Sequence, residues 1–171
     1  MESRATQIAR QVERLKVLVV DDEPSMRKVV HALLQALGVK DIHEAAEGND
    51  GLNKICVRKP DLVILDWEMP VPNGPDFMRI VRSPETFPLS DVPVIMLTGY
   101  SERSRVMEAM QLGVNEFLLK PVSSTDLLTR IVSILVNPRP MIRRGDYYGP
   151  EPRPRSNRSS FVPDSNEFCL F

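Results

Sequence analysis

The sequence alternates five times between a short strand-like segment and a longer segment with helical spacing. The strand-like segments lie at 16–20, 42–46, 62–66, 92–97 and 117–119. Leu62 to Leu65 form an uninterrupted apolar run, which is typical of a strand buried on both faces. Because strands that alternate with helices pair in parallel, we expect an α/β domain: a five-stranded parallel sheet with helices on both faces.

Two terminal segments flank this pattern and divide the chain into three parts. Residues 1–14 carry apolar side chains at helical spacing and predict an extra helix that lies on the domain. Residues 15–137 form the α/β domain itself. Residues 138–171 contain six prolines and six arginines without a lysine, and their apolar residues are not periodic. We interpret this last segment as a Pro/Arg-rich C-terminal tail or extended arm.

The composition limits the classes of partner and the compartment. A formal net charge of -1 gives no electrostatic reason to expect nucleic acid or an anionic membrane as the main partner. The two cysteines are isolated in the sequence, which suggests a reducing compartment, and we expect Cys56 to be a small core residue. The sequence also shows no signal peptide and no apolar run of transmembrane length, so we expect a soluble cytoplasmic protein.

Polar side chains follow four of the five predicted strands. Asp21 and Asp22 follow the first strand, Asp66 ends the third, Thr98 ends the fourth, and Lys120 follows the fifth. The carboxyl ends of parallel strands meet at one edge, where open α/β sheets bind ligands. One acid after the first strand could simply cap the next helix, but a cap does not need three acids in a row. We therefore predict one site at this edge.

The charges indicate what this site binds. Three carboxylates in one cleft repel one another by roughly several kcal/mol at intermediate dielectric. Lys120 offsets one negative charge, and a divalent cation with oxygen ligands, Mg²⁺ rather than zinc or copper, offsets the others. A carboxylate beside Mg²⁺, an ammonium group and a hydroxyl is equipped to attack a phosphoryl group. Asp66 is the candidate nucleophile, and the Thr98 hydroxyl can donate a hydrogen bond to the product.

These motifs resemble the receiver domain of two-component response regulators, close to the stand-alone chemotaxis type. The resemblance covers roughly residues 15–137 and implies a flavodoxin-like, doubly wound (βα)5 fold. It rests on four motifs, which are Val17-Leu18-Val19-Val20-Asp21-Asp22, Asp66 with Met69-Pro70 and Gly74, Thr98-Gly99, and Phe117-Leu118-Leu119-Lys120-Pro121.

The resemblance also implies roles for the site residues. Asp66 is expected to be the phosphoacceptor, which takes phosphate from the phosphohistidine of a sensor histidine kinase or phosphotransfer protein. Asp22 and Asp66 are expected to bind Mg²⁺ together with the backbone carbonyl of Glu68, and Asp21 is expected to assist. Lys120 is expected beside the phosphoryl group, with a cis peptide bond to Pro121.

Thr98 and Phe117 are expected to form the switch pair that changes the surface recognised by a downstream protein. Phe117 stands where many relatives have tyrosine, so its ring has no hydroxyl to satisfy when it turns inward. This departure suggests that the inward position is populated without phosphate.

Two other functions are compatible with parts of the sequence. A DNA-binding regulator would need an effector domain. The tail is short and does not contain two segments with apolar residues at helical spacing, which such a domain would need. A Mg²⁺-dependent phosphohydrolase could use Asp66 as nucleophile and Glu68, two residues later, as general acid. That enzyme would need a substrate cap, and no insertion here is long enough to form one.

Charge also predicts where the tail lies. Residues 15–137 carry a net charge of about -4 and residues 138–171 about +2. Opposite charges favour an arm that folds back on its own domain, with Tyr147, Tyr148, Phe161 and Phe171 as apolar anchors. We expect the arm to cover the switch face or to bind the partner itself; the alternative is a disordered solubilising tail.

Overall fold

The sheet has five parallel strands in the order β2-β1-β3-β4-β5, as expected for a doubly wound α/β fold. The structure is a computed structural model and describes residues 3–99 and 103–154. The strands of this sheet are β1 (Lys16–Val20), β2 (Asp41–Ala45), β3 (Leu62–Asp66), β4 (Val94–Thr98) and β5 (Glu116–Leu119). The central strands β3 and β4 are buried along their whole length, which explains their continuous apolar sequence.

Helices cover both faces of the sheet, as the alternating pattern predicts. They are α1 (Arg4–Glu13), α2 (Pro24–Ala36), α3 (Gly48–Arg58), α4 (Gly74–Val81), α5 (Arg103–Gln111) and α6 (Ser124–Val136). Side chains of α3, α4 and α5 form one apolar core with the sheet, and those of α1, α2 and α6 form the other. No helix within the described residues is long and apolar enough to cross a membrane.

Helix α1 lies on the domain, as its spacing predicts. The side chain of Ser3 caps the helix by accepting a hydrogen bond from the Thr6 N–H at 3.2 Å. Val12 is buried in the same apolar core as Leu34 of α2 and Ile131 of α6. Helix α6 is capped in the same way, since the Ser123 side chain accepts a hydrogen bond from the Asp126 N–H.

Several apolar residues of the helices are exposed. They are Val29, Ile80, Met107 and Leu128, and Cys56, which we expected in the core, is exposed as well. In each case the centre of the buried helix face lies roughly 90–110° from the exposed residue around the helix axis, since each residue adds 100° of rotation. In α4, for example, Met78 is buried together with Phe77 and Val81, and Ile80 faces partly outward.

The C-terminal segment forms a β-hairpin where the sequence analysis expects no regular structure. Strand β6 (Met141–Arg144) pairs antiparallel with β7 (Tyr147–Pro150). The turn consists of Gly145 and Asp146, and Gly145 has a φ of 59°, a value that glycine adopts without strain. The segment does fold back on the domain, as its charge predicts. Phe161 and Phe171 lie outside the described residues.

Candidate functional site

The carboxyl edge of the sheet brings the predicted polar residues together. Asp21 directly follows β1, Asp66 ends β3, and Thr98 ends β4. One carboxylate oxygen from each of Asp21, Asp22 and Asp66 lies within 4.8 Å of the others. Lys120, just after β5, places its Nζ 2.9 Å from Asp66 Oδ1 and 3.9 Å from Asp21 Oδ2. The predicted convergence of these side chains is therefore present in the structure.

Asp21 is the most buried acid of the site. Its Oδ1 accepts a hydrogen bond from the Glu23 N–H at 2.8 Å, whereas its buried Oδ2 has no hydrogen-bond partner. Burial raises the pKa of Asp21 to about 6; the Glu23 hydrogen bond opposes this shift, and the nearby Asp66 charge adds to it. A buried, unpartnered carboxylate oxygen is costly unless a cation or proton meets it. Lys120 Nζ lies 3.9 Å from this oxygen, too far for a hydrogen bond, so Oδ2 can still accept a further cation or a proton.

Lys120 supplies one positive charge at the site. Burial alone would lower the pKa of its ammonium group, but the hydrogen bond and the charge of Asp66 outweigh burial, so the net pKa is raised. Lys120 therefore stays protonated and bound to Asp66. Its peptide bond to Pro121 is cis, as the resemblance implies.

The acids of the first loop do not serve as helix caps. The N-cap residue of α2 is Glu23, and no side chain caps this helix end. Asp22 is exposed beside the buried Asp21, so the pair presents one inner and one outer carboxylate. The capping explanation of this acid cluster is thus wrong for the residues that the structure describes.

The three carboxylates fit a hard divalent cation. They offer only oxygen ligands, and the orphaned Asp21 Oδ2 gives an independent reason to expect a cation. Asp66 Oδ1 also accepts a weak hydrogen bond from the Glu68 N–H at 3.3 Å, which curves the chain just after β3. Mg²⁺ is consistent with this donor set, and the role of the Glu68 carbonyl stays a prediction.

The Glu68 side chain makes a contact that the sequence analysis did not predict. Its Oε1 accepts a hydrogen bond from the buried Thr98 hydroxyl at 2.9 Å, and its Oε2 lies 3.4 Å from the Gly99 N–H. Arg105 of α5 lies 3.6 Å from the same carboxylate. Glu68 therefore turns toward β4 and α5, and its position two residues after Asp66 is the only sequence signal for this arrangement.

A glycine shapes the loop after Asp66. A Cβ atom at Gly74 would lie 2.4 Å from Trp67 Cε3 and 2.8 Å from Trp67 Cα. The Trp67 ring can therefore be buried only if residue 74 has no side chain. Trp67 and the two neighbours of Gly74, Asn73 and Pro75, border a surface groove of about 540 Å³ that also includes Glu68 and Arg105.

Phe117 occupies the inward position. Its side chain is buried in the core shared by α3, α4 and α5. The guanidinium carbon of Arg130, from α6, lies 5.7 Å from the ring centroid, within the range of a cation–π interaction. The structure thus places the predicted switch aromatic inside the domain, beside an arginine that the sequence analysis did not single out.

Comparison with known proteins agrees with this geometry. A family model described as the response regulator receiver domain matches residues 17–132. The chain is 36% identical over 120 residues to the chemotaxis protein CheY of Pseudomonas aeruginosa, covering 70% of this chain and 95% of that protein. It is 34% identical over 122 residues to chemotaxis protein CheY1 of Helicobacter pylori, covering 71% of this chain and 97% of that protein.

Solved structures show the same architecture. The chain superimposes on chemotaxis protein CheY4 of Vibrio cholerae with a TM-score of 0.60 and 33% identity, covering 67% of this chain and 92% of that one. A putative response regulator from Chloroflexus aurantiacus gives a TM-score of 0.66 and 28% identity, covering 72% and 98%. The chain belongs to the response regulator receiver domain family, whose members act in phosphorelays and signal through protein–protein interaction.

Proposed function

We propose that Asp66 accepts a phosphoryl group from the phosphohistidine of a sensor histidine kinase or phosphotransfer protein. The observation that carries this proposal is the position of Asp66: its carboxylate lies 2.9 Å from the Lys120 ammonium group and within 4.8 Å of two further acids. This arrangement provides a nucleophile, a fixed cation and ligands for a second cation at one point.

The reaction moves one phosphoryl group. An Asp66 oxygen attacks phosphorus, a P–O bond forms, and the P–N bond of phosphohistidine breaks, so that the imidazole leaves and Asp66 becomes an acyl phosphate. Lys120 stays protonated and offsets charge on the transferred oxygens. Mg²⁺, held by Asp21, Asp22, Asp66 and the Glu68 backbone carbonyl, would supply the further charge neutralisation.

Thr98 and Phe117 form the switch in this proposal. The Thr98 hydroxyl now donates to Glu68, and it would exchange this acceptor for an oxygen of the acyl phosphate. The new acceptor draws Thr98 toward Asp66 and stabilises the inward position that Phe117 already occupies, which fixes the surface made by α5, β5 and α6 in one form. A downstream protein target reads this surface.

This chain is then a phosphoacceptor signalling domain rather than an ordinary enzyme. It catalyses its own phosphotransfer and a slow dephosphorylation, and we expect it to do so in the cytoplasm. DNA binding is not part of the proposal, because a formal net charge of -1 gives no electrostatic attraction to nucleic acid.

The test is phosphoryl uptake by the Asp66→Asn variant. Full-length protein is incubated with Mg²⁺ and a small acyl phosphate donor, and the intact mass is measured over time. We expect one added phosphoryl group on the wild type and none on Asp66→Asn. Asp41→Asn, which changes a half-exposed acid at the amino end of β2, serves as the matched control.

Two outcomes would contradict the proposal. Phosphoryl uptake by Asp66→Asn at the wild-type rate would show that Asp66 is not the acceptor. Rapid multiple turnover of the donor without a lasting adduct would favour the phosphohydrolase with Asp66 as nucleophile.

A further inference from the structure

The C-terminal hairpin is packed onto the amino ends of β4 and β5. The side chain of Arg82 is buried beneath it and donates to Gly113 O and Asn115 Oδ1, each at 3.0 Å. A Cβ atom at Gly113 would lie 2.7 Å from the Tyr148 carbonyl oxygen, and the Tyr148 hydroxyl donates to Asp91. The hairpin therefore meets the domain by close backbone packing, at the opposite end of the strands from Asp66.

This location differs from the predicted cover over the switch face. Residues 139–153 contact the loop before β4, the loop before β5, the first residue of β5 and helix α6, through Glu85, Asp91, Gly113, Asn115, Glu116 and Ser133. This part of the arm therefore lies at the end of the strands away from Asp66 and does not cover the phosphorylation site. Its contact with Glu116 reaches the residue next to Phe117 on β5.

Arg153, just after the hairpin, binds a buried acid of β5. The carboxylate of Glu116 is almost fully buried, and its Oε1 accepts hydrogen bonds from Arg153 Nη2 and from Ser133 Oγ, the latter at 2.9 Å. Its other oxygen lies 3.9 Å from Arg130 Nη1. Glu116 thus sits between two arginines, of which Arg153 makes the closer contact.

Arg130 has a second neighbour besides this carboxylate. Its guanidinium carbon lies 5.7 Å from the ring centroid of Phe117, the residue that follows Glu116. A buried carboxylate attracts a guanidinium group more strongly than an aromatic ring does. Arg130 can remain over the ring because Arg153 already offsets the charge of Glu116.

We propose that Arg153 and Glu116 are positioning residues for Phe117. Arg153 pairs with Glu116, Arg130 then stays over the Phe117 ring, and the ring is held inward. The C-terminal arm therefore biases the switch from the amino end of β5 without touching the phosphorylation site. The link to signalling rests on the proposed function, whereas the effect on the ring does not. Arg153 lies outside residues 17–132, which the family model matches.

The first test observes the ring directly in full-length protein without any phosphodonor. Phenylalanine is labelled with ¹³C, and the Phe117 ring signals are assigned from their loss in Phe117→Leu. We expect Arg153→Gln to shift these signals as Arg130 moves closer to Glu116 and away from the ring. Arg144→Gln, which changes an exposed arginine at the tip of the same hairpin, should leave them in place. Unchanged Phe117 signals in Arg153→Gln would overturn the proposal.

A second experiment, in the Glu116→Gln variant, tests whether Arg153 positions Phe117 through the charge of Glu116 or only anchors the hairpin. Glutamine keeps the hydrogen-bonding shape but no longer attracts Arg130 by charge. Arg153→Gln should then have no further effect on the Phe117 signals. If the shift caused by Arg153→Gln persists in this background, the arginine acts by holding the hairpin, and the proposed role is wrong.

The functional test uses the fluorescence of Trp67, the neighbour of Asp66, during titration with an acyl phosphate donor and Mg²⁺. Loss of one cation–π contact should raise the half-saturating donor concentration of Arg153→Gln by about two- to tenfold. The same substitution in Phe117→Leu should have no such effect. An equal effect in both backgrounds would refute the proposal. If the wild type takes up no phosphoryl group, the proposed function fails, and the ring measurements alone decide the role of Arg153.

Discussion

Replacing Asp21 with asparagine should make the metal-free protein more stable at neutral pH. Burial raises the pKa of Asp21 from its usual 3.8 to about 6. One pKa unit corresponds to about 1.4 kcal/mol, so the charged form costs the folded state about 3 kcal/mol. Asparagine carries no charge and can still accept the hydrogen bond from Glu23. We expect a gain of roughly 1–3 kcal/mol in the free energy of unfolding, because relaxation reduces the full effect.

The pH dependence of this gain has a definite sign. The folded state binds the Asp21 proton more tightly than the unfolded state does, so wild-type stability rises as the pH falls from about 6 toward 3.8. The advantage of Asp21→Asn should therefore be full above the folded pKa and absent below the unfolded one.

The assay is urea unfolding in the presence of a chelator, at about pH 7.5 and about pH 3.5, with Asp41→Asn as an exposed control. Adding Mg²⁺ at about ten times its dissociation constant should stabilise the wild type by about 1.4 kcal/mol and the variant much less. An Asp21→Asn protein that is less stable than wild type at neutral pH would refute the reasoning. So would a gain of equal size at both pH values.

Three further predictions concern the metal site, its loop and the arm. Because Mg²⁺ must displace the proton of Asp21, the affinity of the protein for Mg²⁺ should fall about tenfold between pH 7.5 and pH 5, as measured by Trp67 fluorescence. Asp22→Ala should abolish the fluorescence response, and an affinity that does not change with pH would contradict this account. Gly74→Ala should lower the free energy of unfolding by about 2 kcal/mol or more, because the new Cβ overlaps the Trp67 ring; wild-type stability in thermal unfolding would show that the loop adapts. Truncation after Asn137 should leave Asp66 phosphorylation possible but change the acyl phosphate lifetime, measured by the decay of the intact-mass adduct; an unchanged lifetime would exclude coupling between the arm and the switch.

The site was predictable because strand direction alone brings its residues together. Asp21, Asp66 and Lys120 each follow a recognisable strand, and a parallel sheet places the carboxyl ends of its strands at one edge. No such rule applies to the Glu68 side chain, whose contact with Thr98 depends on how the loop after Asp66 curves. The pattern of apolar residues in the sequence shows where the short strands lie along the chain. The direction of a side chain in a loop is decided by tertiary contacts, which this pattern does not show.

The C-terminal hairpin escaped prediction for a different reason. One of its four-residue strands ends in two arginines, the other ends in a proline, and neither has a clear apolar alternation, so composition suggests an unstructured arm. The only local signal is the Gly145-Asp146 pair, which fits a two-residue turn. The hairpin is stable through contacts with distant residues such as Arg82 and Gly113, and those contacts leave no mark on the local sequence.

The strand order divides the site into a rigid half and a responsive half. The acids lie at the ends of β1 and β3, which have neighbouring strands on both sides, whereas Phe117 lies on the edge strand β5 and Lys120 directly follows it. Local opening of an edge strand costs less free energy than local opening of an interior strand, so the amide hydrogens of β5 should exchange with solvent sooner than those of β3. The cation ligands can thus keep their spacing while the aromatic switch samples other positions. The residues that sense phosphate and the aromatic residue that responds thus lie on different strands of one sheet, with β4 between β3 and β5.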